Sequence, residues 1–178
     1  MLDLQTDLIE FDLFNTLTNE SFSSNSLDNE KPSLIMFICN HCPYVKDIIN
    51  RIVIDFNYLK KINVGVVAIM SNDTVNYPED SFENMKNFAS DNKFNFPYLY
   101  DDEQSVAKTY HAICTPDFFC FDSNDKLFYR GRLDNLKYKE SNEKERCAEL
   151  VYAFEKKISH NVVVKNQVNS MGCSIKWK

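Results

Sequence analysis

The chain has 178 residues, 44% of them hydrophobic and 13% aromatic, with only three glycines, which describes a globular protein with a sizeable core rather than a disordered or fibrous one. A net charge of −6 without a basic stripe excludes nucleic acid and anionic membrane surfaces as expected partners, and no apolar run approaches the length of a membrane span. Met1 to Asp7 show no basic region followed by an apolar one, so the expected setting is cytoplasmic, where the six cysteines are thiols rather than a disulfide framework.

In chain order, residues 1–31 predict an N-terminal extension. Ile9-Glu10-Phe11-Asp12-Leu13 alternates apolar with acidic, as a half-buried strand does, and Asn19 to Asn29 reads as turns and loop around a short pairing at Phe22. Ser33-Leu34-Ile35-Met36-Phe37-Ile38 is the apolar run of a strand buried on both faces. It leads into Cys39-Asn40-His41-Cys42-Pro43, beyond which Val45, Ile48, Ile49, Ile52, Phe56 and Leu59 form one stripe of an amphipathic helix. Val64 to Met70 is a second buried strand, and the pair implies a right-handed parallel crossover. Its end, Ser71-Asn72-Asp73, falls on the same carboxyl edge as Cys39, where α/β sheets collect ligands. Asp80 to Ser90 predicts a surface helix with Asp80 and Glu83 spaced as a capping box. Phe96 to Tyr100 follows as a strand and Gln104 to Tyr110 as a short helix. Phe118–Phe121 and Leu127–Tyr129 flank a polar turn and predict a hairpin. A final helix over Glu143 to Lys157 is expected to bury Cys147, Leu150, Val151 and Phe154, and residues 165–178 make a tail. No repeat or linker interrupts residues 1–178, so a single α/β domain is expected.

The chemistry sits where the first buried strand hands over to a helix. Unpaired amides and about half a positive charge at a helix N-terminus favour a thiolate over a thiol. The thiolate is the nucleophile of disulfide exchange. Cys39 is the expected attacking thiol, as the more exposed cysteine and the one closest to the helix end, and Cys42, a turn further in, the resolving one. His41 would lower the thiolate pKa further and make the disulfide more oxidising. A half-built zinc site and a pair of inert core cysteines are the competing readings. Zinc needs four ligands, and Cys114 and Cys120, with five residues between them, make a poor chelate, so no metal is expected. Cys173, in the apolar tail Met171 to Lys178 with the only tryptophan, is a possible accessory thiol; Cys120 and Cys147 read as packing residues. Asn72 and Asp73 either line the active edge or close a turn.

Four stretches carry a resemblance: Phe37-Ile38-Cys39-Asn40-His41-Cys42-Pro43-Tyr44-Val45; Ser71-Asn72-Asp73 with Tyr77-Pro78-Glu79-Asp80; Cys114-Thr115-Pro116-Asp117-Phe118-Phe119; and Gly172-Cys173-Ser174-Ile175-Lys176-Trp177. On these the chain resembles the thioredoxin superfamily, and within it the bacterial alkyl hydroperoxide reductase/thiol-specific antioxidant (redoxin) group with an Asn-His-Cys-Pro active-site motif. The resemblance implies a thioredoxin-like three-layer α/β/α sandwich with a mixed central sheet, here with an N-terminal strand extension. It also implies that Thr115-Pro116 is a cis-proline turn facing the dithiol, with Thr115 free to pair with an extended substrate. Thr115, Pro116, Asn40 and Pro43 would then shape a substrate groove, Cys114 would lie near the dithiol as an accessory thiol or a semi-buried inert one, and a docked tail would bring Cys173 to the active edge.

The implied activity is thiol–disulfide exchange without a cofactor, on protein or small-molecule disulfides, with a dithiol protein or glutathione as electron donor. The alternative is a peroxiredoxin-like thiol peroxidase that takes peroxides at Cys39. The peroxidatic pattern Pro-x-x-x-Thr-x-x-Cys is met at Pro32 and Cys39, but Met36 holds the threonine place and cannot donate a hydrogen bond. Relative to thioredoxin, Asn40-His41 replaces Gly-Pro between the cysteines, and Ser33 stands where a buried acid is usual. A histidine before the second cysteine resembles the oxidising relatives.

Overall fold

All five residues of Ser33–Phe37 (β3) are buried because both faces of that strand are covered. Leu34 and Met36 turn to one hydrophobic core with Ile38, while Ile35 and Phe37 turn to another. The same alternation holds in Gly65–Met70 (β4), where Val66, Ala68 and Met70 face the first core and Val67 and Ile69 the second. The remaining strands are β1 (Asp12–Asn15), β2 (Glu20–Ser23), β5 (Tyr98–Tyr100), β6 (Cys114–Thr115), β7 (Asp117–Phe121), β8 (Leu127–Tyr129) and β9 (Cys173–Ser174). The helices are α1 (Pro43–Lys61), α2 (Phe82–Asp91), α3 (Ser105–Thr109) and α4 (Glu149–His160). This computed structural model describes residues 2–28, 30–140 and 142–178. Met1, Asn29 and Ser141 lie outside it, and with Asn29 the last residue of the expected Asn19–Asn29 loop.

Seven strands form one mixed sheet in the order β2-β1-β5-β4-β3-β7-β8. β3 pairs parallel with β4, and β4 with β5, while β7 runs antiparallel to β3. α1, α2 and α4 supply the first core through Ile52, Phe56, Met85 and Phe154. α3 and the N-terminal segment supply the second through Ala107 and Phe11. The three-layer α/β/α sandwich implied by the resemblance is thus the architecture observed, with β1 and β2 as the added N-terminal strands. Among the described residues no helix is long and apolar enough to cross a membrane.

Three local expectations are corrected. The first strand begins at Asp12 rather than Ile9: Phe11 is buried instead against Tyr110, whose hydroxyl donates to the Ile9 carbonyl at 2.8 Å. α2 is capped by Ser81, which accepts from the Asn84 amide, and not by Asp80, which is wholly buried elsewhere. α4 starts at Glu149 because Arg146 is drawn sideways into the buried carboxylates Asp55 and Asp134; this leaves Cys147 exposed rather than packed.

Candidate active site

Pro43 at the first helical position, with its fixed φ and missing amide proton, sets where α1 begins. Cys42 is therefore the N-cap residue, not a turn inside, and feels the helix end most directly. Cys39 lies three residues earlier, in the loop after β3. Both are buried, at 1% and 0% exposure, so the expectation of an exposed Cys39 nearest the helix does not hold. The Thr115-Pro116 peptide is cis, and Thr115 meets both sulfurs. Its hydroxyl lies 3.3 Å from Cys39 Sγ, and its carbonyl oxygen accepts from Cys42 Sγ at 3.1 Å.

One proton is shared unequally by the pair. The Cys39 thiol in contact with it pulls Cys42 down, to about 4, against desolvation, and the amides of Cys173 and Val45 and the Thr115 side chain act in the same direction. Cys39 is pushed up, first by that contact with Cys42, then by burial and the Asp80 charge. The two sulfurs therefore lose their first proton far more readily than their second.

The Tyr77–Asp80 turn folds back over this loop. Asp80 accepts hydrogen bonds from the amides of Asn40 (2.7 Å) and His41 (3.2 Å), from Asn72 Nδ2 (2.8 Å) and from His41 Nδ1 (2.7 Å). Facing a carboxylate, His41 carries its proton on Nδ1 and leaves Nε2 as a base. His41 also stacks on Tyr77, at 5.6 Å between ring centres. A His41 ring nitrogen, Cys39 Sγ and an Asp80 oxygen lie within 4.8 Å of one another, three donors where a closed zinc site takes four. Sequence reading missed Asp80 by assigning it to a helix cap. Ser33, at the place of the usual buried acid, has an Oγ with no partner, and the buried carboxylate comes from the Tyr77–Asp80 turn instead.

The other named residues divide. Asn40 is turned away from the groove: its Oδ1 accepts from Tyr98 Oη at 2.9 Å and its Nδ2 donates to the Glu79 carbonyl. Pro43 is exposed beside Cys42. A cleft of about 140 Å³ opens on the far side of Pro116, walled by Tyr44, Ile48, Phe118, Tyr138 and Met171. Cys114 is half-buried, pushed up to about 12 by burial and then by Asp117, and its Sγ donates to the Pro116 carbonyl at 3.4 Å. Cys173 lies directly across from Thr115 in the antiparallel β6–β9 pair and contacts Cys42. Asn72 and Asp73 hold the tail: Asn72 Oδ1 accepts from the Lys176 amide at 2.9 Å, and the Asp73 amide donates to the Lys176 carbonyl at 2.8 Å.

Comparison with known proteins agrees with this fold. The model of the AhpC/TSA family matches residues 4–130. An uncharacterised conserved protein from Geobacillus kaustophilus is similar along the whole chain, with 40% identity, a TM-score of 0.93 and 94% of its own length covered. A hypothetical protein from Sinorhizobium meliloti shares 33% identity over all of this chain and 96% of its own, again with a TM-score of 0.93. The thioredoxin domain of a thiol-disulfide oxidoreductase from Bacteroides vulgatus shares the fold at 16% identity, with a TM-score of 0.67 over 88% of this chain and 98% of that one. No curated protein matches. With the family match spanning most of its length and taking in both the Cys39–Cys42 loop and Thr115-Pro116, the chain belongs to the AhpC/TSA family of thioredoxin-like oxidoreductases.

Proposed function

We propose that residues 1–178 act as one thioredoxin-like domain, a thiol–disulfide oxidoreductase whose redox centre is the Cys39–Cys42 pair. The observation that carries this is the convergence of the two sulfurs on Thr115, beside the cis peptide to Pro116. The Cys42 thiolate attacks a substrate disulfide, forms a mixed disulfide and expels the first thiolate. Cys39 then gives its proton to His41, held in place by Asp80, and attacks Cys42 sulfur to expel the second. The proton passes to the leaving thiolate, and two electrons have moved from the pair to the substrate. The helix end and the Cys173 amide beside Cys42 support this order. The order expected from sequence, with Cys39 attacking, is its alternative, and mass mapping of the mixed disulfide trapped in each serine variant separates the two. The cleft beside Pro116 would bind substrate, and a dithiol protein or glutathione in the cytoplasm would return the electrons.

The experiment is thiol alkylation with mass mapping across a glutathione redox series. A cooperative two-electron transition to a Cys39–Cys42 disulfide is expected, abolished in Cys39→Ser and in Cys42→Ser. Full disulfide reductase activity in Cys42→Ser would remove the assignment.

The thiol peroxidase reading has one observation in its favour: the Thr115 hydroxyl lies where it can replace the hydrogen bond that Met36 cannot make to Cys39. Contact with Cys42, burial and the Asp80 charge, which raise the Cys39 thiol, weigh against it, since peroxide is attacked by a thiolate. Peroxide consumption in a reducing assay separates the two.

A further inference from the structure

The sulfurs of the proposed centre are sealed, and what seals them is the chain's own C-terminal strand. β9 occupies, antiparallel on Thr115, the position that an extended substrate would take in this groove. It is tied on both sides of Cys173. Before it, Ser170 Oγ donates to the Gly131 carbonyl at 2.9 Å, and the Arg132 amide donates to the Val168 carbonyl at 2.8 Å. After it, Ile175 is buried in the second core, and Gln104 Nε2 donates to the Lys176 carbonyl at 2.8 Å. The approach is so close that Gly172 is required. A Cβ there would fall on the Thr115 carbonyl, 2.6 Å from its carbon and 3.0 Å from the Pro116 nitrogen. Of the three clustered cysteines, only Cys173 retains exposed surface; Cys39 and Cys42 have almost none.

We propose that Cys173 is a third redox thiol, the port through which the buried Cys39–Cys42 pair exchanges electrons with small external disulfides and thiols. The proposal rests on the dithiol reading above and names its substrate class, since the groove that would hold an extended polypeptide is already filled. An external disulfide exchanges first with Cys173, whose proton goes to the released thiol. The Cys42 thiolate then attacks Cys173 sulfur, forms a Cys42–Cys173 disulfide and expels the second external thiolate. Cys39, its proton taken by His41, attacks Cys42 sulfur and releases Cys173 as a thiolate, which regains that proton. The net change is one external disulfide reduced and one Cys39–Cys42 disulfide formed. Run backwards, the same steps let an external thiol reduce the pair.

The test uses the full chain and oxidised glutathione, with acid quenching and mass mapping. In Cys39→Ser the second step has no onward path, and a Cys42–Cys173 disulfide should accumulate. In Cys173→Ser, oxidation of the Cys39–Cys42 pair should slow by about tenfold or more, because attack is then confined to the locally opened population. In Gly172→Ala the strand is displaced, so oxidation of the pair should be fast whether or not Cys173→Ser is added. A Cys39→Ser protein that carries only a persistent glutathione adduct on Cys42, or a Cys173→Ser protein oxidised at the wild-type rate, overturns the port. Failure of Gly172→Ala to form any Cys39–Cys42 disulfide would instead overturn the dithiol reading beneath it.

Discussion

Asp80 accepts four hydrogen bonds with none of its surface in water, and it joins three separate stretches: the Cys39–Cys42 loop, Asn72 after β4, and its own turn. Replacing Asp80 by Asn keeps the shape but removes the charge that orients His41. Disulfide exchange should fall about 10²-fold. The loss should fall on the resolving step, so that the mixed disulfide accumulates, a change that a purely structural role would not produce. Acid-quenched mass mapping during turnover checks this, and no accumulation would leave Asp80 as scaffold only. Cys42 carries a second prediction. Its folded-state pKa is depressed to about 4 from an ordinary value near 8.5, so it stabilises the reduced protein above the unfolded pKa and loses that effect as pH falls toward 4. The disulfide form lacks the thiolate. Between pH 5 and 8 the stability of the reduced protein should therefore rise relative to the oxidised one, as measured by urea unfolding of both. A difference that stays flat with pH would contradict the assignment of the thiolate. At this scale the two cysteines and the histidine were legible from their spacing. The carboxylate was not, because its four donors come from segments far apart in sequence and its neighbours imitate a helix cap.

Among the elements, α1 and β3 follow directly from sequence pattern, an apolar run and a stripe at helical spacing. The exact start of α1 decides the chemistry. Proline at the first helical position was the available signal that Cys42, not Cys39, is the cap. The C-terminal strand is only two residues long, and nothing local predicts it. Its docking depends on Ile175, buried beneath the tail and 3% exposed. Truncation by Ile175→Ala should cost about 2–5 kcal/mol, expressed mainly as local release of the tail rather than global unfolding. Maleimide labelling of Cys39 and Cys42 should then accelerate by more than tenfold while the main thermal transition moves little. Labelling at the wild-type rate would show that the tail does not control access.

Across the whole molecule, a buried ionic cluster fastens α1 to the segments that follow β8. Arg146 donates through Nε to Asp134 at 2.7 Å and through Nη1 to Asp55 at 3.0 Å, and Arg51 Nε donates to Asp134 at 2.9 Å. Burial raises the Asp55 carboxyl against the pull of Arg146. Substitution by Arg146→Met would strand the Asp55 carboxylate, 5% exposed, and leave Asp134, 3% exposed, to Arg51 alone, with an expected loss of about 3–5 kcal/mol. Urea unfolding measures it, and a loss under about 1 kcal/mol, the range of a surface pair, would mean the cluster is solvated. By itself the sequence determined the α/β order of elements and the dithiol at a strand-to-helix junction, both written in residues adjacent along the chain, through apolar periodicity or a short motif. The three layers and the proline turn opposite the dithiol were what the family resemblance implied. Only the tertiary structure decided that both sulfurs are buried against Thr115, which acid serves the histidine, and that the Cys173–Ser174 strand covers the site. Those outcomes depend on burial and on contacts between segments separated by tens of residues, for which no local pattern exists.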